Sequence, residues 1–110
     1  MTGVAYDEDL ANRIRELLAD EEGVTEKKMF GGLAFLLHGN MAVAASREGG
    51  ILVRSDPKRP VPDGAELAIM RGRPMDGWLR VGAGRLKTRP QLVKWTQLGF
   101  EYARTLSPKS

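Results

Sequence analysis

The sequence predicts an α+β domain of two layers, with a mostly antiparallel sheet of about five strands and an N-terminal and a C-terminal helix on one face, in the order α-β-β-β-β-β-α. Three observations predict it. Helical spacing of apolar residues occurs near the two ends of the chain, short apolar runs broken by glycine and proline fill the middle, and 110 residues suffice for one core. Residues 1–110 are therefore expected to form a single domain, with a loose leader over 1–6 and a loose tail over 107–110.

The first helix follows from Leu10, Ile14, Leu17 and Leu18, which fall at i, i+4, i+7 and i+8 with Arg13, Arg15 and Glu16 between them. Asp7 is placed to cap it, and Glu8 and Asp9 suit the positive end of the helix dipole. Asp20, Glu21 and Glu22 suit the negative end poorly, so the helix should stop near them, with Gly23 beyond.

Glu26 to Leu37 reads as one strand, central to the fold, bent at Gly31-Gly32 to admit another segment. The lysines Lys27 and Lys28 stand at its polar end. His38-Gly39-Asn40 is a short turn into a second strand, Met41 to Ala45, and Arg47 to Gly50 turns the chain into Ile51-Leu52-Val53. Pro57, Pro60 and Pro62 then forbid a regular element between Ser55 and Gly64.

A fourth strand is expected over Leu67 to Met70, a loop over Arg71 to Gly77 and a fifth strand over Trp78 to Val81. In the last helix Leu92, Trp95, Gly99, Tyr102 and Leu106 share one face, Thr88 is the expected cap, and Pro90 is tolerated in the first turn. Gly99 allows this helix to come close to the sheet. Two layers leave the second sheet face uncovered, and Met29, Ala42, Ala44 and Leu79 are expected there, where a partner or a second copy could bind.

Composition excludes several functions. There is no cysteine, hence no disulfide, thiolate nucleophile or cysteine-ligated zinc. No apolar run approaches the roughly 18 residues of a membrane span, and the start does not resemble a signal peptide, which favours the cytoplasm. Net charge is +3, but residues 1–53 hold five basic against nine acidic residues and residues 54–110 hold twelve against five. The second half could attract nucleic acid or acidic partners through Arg71, Arg73, Arg85 and Lys87, or its charges could simply cover a solvated surface.

Catalytic groupings are missing from the pattern. His38, the one histidine, has no second histidine, cysteine or carboxylate cluster beside it in sequence, and reads as a solvated turn residue. Gly82-Ala83-Gly84-Arg85-Leu86-Lys87 begins like a dinucleotide fingerprint but has Lys87 where the third glycine belongs. Gly31-Gly32 lacks the Gly-Lys-Ser/Thr of a phosphate loop. No catalytic, cofactor-binding or metal-binding residue is assigned.

Two separated motifs carry a resemblance. Lys28-Met29-Phe30-Gly31-Gly32-Leu33-Ala34-Phe35, followed by Gly39-Asn40-Met41, and the later Gly72-Arg73-Pro74-Met75-Asp76-Gly77-Trp78 resemble the TfoX N-terminal domain family, and Trp95, Gly99, Tyr102 and Ala103 fit its last helix. The resemblance implies a two-layer domain similar in outline to type III secretion chaperones, and a role like that of competence regulators, which act without an established catalytic site. It also implies a stand-alone domain lacking the second, helical domain of longer members.

The residues it singles out are Lys28, Phe30, Gly31, Gly32, Gly72, Arg73, Pro74, Met75, Gly77 and Trp78. The leading expectation is a non-enzymatic domain that binds a protein, or itself as a homodimer, through the open sheet face and the glycine-rich loops. A nucleic-acid-binding transcriptional regulator using the basic half is the alternative. A small hydrolase or transferase built on His38 or the Gly82 loop is a more distant one.

Overall fold

A computed structural model describes residues 6–29 and 31–108 of the chain, so most of the expected leader, Phe30 and the last two residues lie outside the described part. Six strands form one sheet: β1 (Val24–Met29), β2 (Gly32–Leu37), β3 (Asn40–Ala45), β4 (Ile51–Arg54), β5 (Glu66–Met70) and β6 (Arg73–Val81). Helix α1 (Glu8–Leu17) precedes them and α2 (Arg89–Arg104) follows. The sheet order is β1-β2-β3-β4-β6-β5 and every pairing is antiparallel. The class and element order agree with the sequence, with one strand more than expected.

The extra strand comes from the segment read as a single central strand. The chain reverses between Met29 and Gly32, which face each other in the β1–β2 pair. Gly31 takes φ +77, which a residue with a Cβ rarely adopts, and Gly32 packs against the Ala45 carbonyl with no room for a side chain. The glycine pair thus makes room for the end of β3, not for α2 or the Gly72 loop, and β1 is an edge strand. Its Lys27 and Lys28 suit that position, because charged side chains discourage pairing with another chain.

The helix starts follow the sequence closely. The Asp7 carboxylate accepts from the Leu10 N–H at 3.2 Å. Thr88 and Gln91 make a reciprocal capping box, with Gln91 N–H donating to Thr88 Oγ1 at 3.3 Å and Thr88 N–H donating to Gln91 Oε1 at 3.0 Å. Helix α1 closes earlier than expected, at Leu17. Gly23 instead leads into β1 beneath the His38 ring, which stands exposed in the β2–β3 turn, as a solvated turn residue should.

Both helices cover the same face. Leu33, Phe35, Leu37, Val43, Ile51, Val53, Leu79 and Val81 point from the sheet toward Leu10, Ile14, Leu92, Trp95 and Phe100. Gly99 permits the closest approach, since a Cβ there would collide with the Ala42 carbonyl and lie 2.8 Å from Val43 Cγ1. At the far end Asn40 Nδ2 donates to the Ser107 carbonyl at 2.8 Å, tying the segment after α2 to β3. Ala42 and Leu79, expected on the open face, belong to this core.

Helix α1 is also clamped to the sheet by charge. Arg15 Nε and Nη2 donate to the two oxygens of Glu26 on β1, at 2.6 and 2.7 Å. This hydrogen bonding holds the Glu26 carboxyl below the usual carboxylate range and raises the Arg15 guanidinium. A carboxylate with a lowered folded pKa contributes stability above its unfolded value and loses it as pH falls through the folded one. Glu26→Gln should therefore cost about 0.5–1 kcal/mol at pH 7, the small range reflecting a pair open to solvent. Urea denaturation checks this, and the gap from the parent should narrow as pH falls below the ordinary glutamate value and close only once the lowered folded pKa of Glu26 is passed.

Candidate functional site

Cross-strand partners point to the same side of a sheet, so the register assigns the residues of the uncovered face. On β2 they are Ala34 and Leu36, opposite Ala44 and Met41 of β3. Leu52 of β4 stands opposite Ala44 on one side and Arg80 of β6 on the other, and Arg54 stands opposite Trp78. On β5, Ala68 faces Met75 and Met70 faces Arg73. Lys27 and Met29 complete the face at β1.

The centre of this face is apolar. Met41, Leu52, Ala68, Met70, Met75 and Trp78 line a shallow pocket of about 100 Å³. The alanines beneath are nearly inaccessible, while the methionines, Leu36, Leu52 and Trp78 are half-buried against one another. Four of the five methionines of the chain lie here. Methionine is flexible and polarisable, which suits a surface that adapts to what it binds.

The Gly72 to Trp78 motif builds one corner of the face. Arg71 (φ +53) and Gly72 (φ +76) form the two-residue turn between β5 and β6. The strand resumes at Arg73 rather than Trp78. Pro74 fits opposite Ile69, because β4 ends at Arg54 and does not run beside this part of β6.

The pairing then slips: Leu67 faces Leu79 but Ala68 faces Met75, leaving Asp76, Gly77 and Trp78 as an outsized bulge. Gly77 takes φ +85 there, and its carbonyl accepts from Ser55 N–H at 2.8 Å. The bulge brings Trp78 to Arg54, whose guanidinium carbon lies 5.2 Å from the indole centre and 5.9 Å from the Tyr102 ring.

The two glycine motifs do not meet. Gly31-Gly32 lies at the end of the sheet shared by Ala45, Ile51 and Val81, whereas the Gly72 turn lies at the opposite end of β6, and β3 and β4 separate β2 from β6. The basic candidates are likewise divided. Arg71 and Arg73 sit at the start of β6, and Arg85 and Lys87 lie beyond its other end. The Gly82 to Lys87 segment forms a 3-10 turn over Ala83–Arg85, with Arg85 packed on Gly64 and the Lys87 carbonyl accepting from Arg13.

Among the described residues no three histidine, cysteine, aspartate or glutamate side chains gather as metal ligands, and no helix is long and apolar enough to cross a membrane. The model of the TfoX N-terminal domain matches residues 16–103 of the 110. The chain belongs to the TfoX N-terminal domain family. Membership suggests a regulatory domain. No curated protein and no solved structure matches the chain significantly.

Within this TfoX N-terminal domain the second family motif has a physical account as the turn, the bulge and the indole at one corner of the open face. Single-strand reading missed Met41, Leu52, Arg54, Ala68 and Met70. The doubly apolar Ile51-Leu52-Val53 was the available signal, since a strand solvated on one side should alternate.

Proposed function

We propose that this TfoX N-terminal domain is a non-enzymatic regulatory module that works by binding another protein on its open sheet face. The observation that carries the reading is the apolar floor of Met41, Leu52, Ala68, Met70, Met75 and Trp78, left uncovered by both helices. Surfaces of this kind on a folded domain mark interaction sites. Nucleic-acid binding draws less support, because Arg71 and Arg73 lie at the opposite end of β6 from Arg85 and Lys87 and form no single basic patch.

A photo-crosslinking residue at Leu52, on the open face, should yield adducts with another polypeptide in the source cell. The same residue at Gln97, exposed on α2, should not. Equal adducts from both positions, or adducts with nucleic acid alone, would sink the reading.

A further inference from the structure

The charges around the apolar floor specify what kind of protein surface it accepts. Lys27 stands opposite Ala34 on the β1 side, Arg80 opposite Leu52, Arg54 opposite Trp78 and Arg73 opposite Met70. Glu66, opposite Arg80, is the carboxylate on the same side of the sheet. Arg80 also meets Glu48 from the neighbouring turn, at 3.0 Å. Lys27 and Arg73 have no carboxylate partner among the described residues, while Arg54 is held at the end of the sheet between Trp78 and Tyr102 of α2. A half-buried apolar floor is thus bordered by an unpaired cation on two sides, Lys27 at β1 and Arg73 at β6.

From Leu36 on β2 to Met70 on β5 the floor crosses four inter-strand spacings, about 19 Å, which matches about 13 residues of helix at 1.5 Å each. From this fit and the charges we propose that the occupant is an amphipathic helix of a partner protein, with its apolar stripe on the methionine floor and flanking aspartates and glutamates toward Lys27 and Arg73. The proposal rests on the open face being the interaction surface and adds the chemistry of what it binds. A second copy is the competing occupant of the same face, since Lys27 and Glu66 end one cross-strand row and a two-fold axis along the strands would oppose them.

The test uses the full chain and two labelled synthetic helical peptides of the same leucine stripe, one flanked by glutamates and one by lysines, read by fluorescence anisotropy at low salt. The glutamate peptide should bind at least about ten-fold more tightly, with the difference shrinking as salt rises. Lys27→Glu combined with Arg73→Glu, both at exposed positions, should reverse the preference while leaving the far-UV circular dichroism unchanged. Leu52→Glu should abolish binding of both peptides.

Equal affinity for the two peptides, or no binding of either, would overturn the proposal. So would stronger binding to vesicles of anionic lipid than to the glutamate peptide. Dimerisation in sedimentation that Leu52→Glu abolishes would assign the face to a second copy instead. If Leu52 still crosslinks to a protein while the peptides are not discriminated, the face is an interaction surface and only the acidic helix is wrong.

Discussion

Phe35→Ala will lower the unfolding free energy by about 3–5 kcal/mol, a large part of the 5–15 kcal/mol typical of a whole domain. Phe35 is 1% exposed and sits on β2 under both helices, so the substitution removes buried apolar area and opens a cavity that the surrounding strands cannot collapse into. Its neighbour Leu36 points the other way, onto the half-buried open face, and Leu36→Ala should cost only about 1 kcal/mol. Urea midpoints at an unchanged slope measure both. Equal losses at 35 and 36 would mean that the second face is as well covered as the first, and the interaction surface would have to be sought elsewhere.

Gly99→Ala will destabilise the domain by about 2–3 kcal/mol, although in an exposed helix the same change gains up to about 1 kcal/mol. The packing term wins because the new Cβ would collide with the Ala42 carbonyl, which is backbone and cannot swing aside. Helix α2 would have to lift from β3, loosening Leu92, Trp95, Phe100 and Ala103 together. Thermal unfolding followed by circular dichroism decides the sign. A raised melting temperature would show that α2 and the sheet stand farther apart than the geometry indicates.

Local chemistry made the helix starts legible in the sequence. Asp7, Thr88 and Pro90 act through backbone groups within a few residues, and the Trp95 and Gly99 spacing needed only the helical period. Non-local register hid the open face. One extra residue at Ala42, where Phe35 faces Val43 but Leu36 faces Met41, turns Ala42 into the core. The larger slip at Asp76 to Trp78 brings Leu79 inward. A bulge changes which parity faces which side, so alternation counted along one strand assigns such residues to the wrong face.

The β1–β2 hairpin was hidden for a different reason. Met-Phe-Gly-Gly-Leu is apolar on both sides of the glycines and carries none of the Asn-Gly or Asp-Gly chemistry that marks most two-residue turns. The start of β6 was hidden by its composition, since Gly-Arg-Pro-Met-Asp-Gly has the residues of a loop. It forms strand only because β5 alone needs to pair with it there.

Helix α2 follows every strand in the chain yet supplies much of the lid over the core face. At translation speeds of about 5–20 residues per second, the segment from Val81 to Arg104 takes about one to five seconds to synthesise. During that interval α1 alone covers the core face, much of which awaits α2, and the other face is open. An amphipathic helix that fits the methionine floor could then also settle, in the wrong place, on the larger apolar layer still waiting for α2. The nascent domain is therefore most prone to mispairing just before its last helix emerges, and a chaperone that shields apolar sheet should act on it in that window.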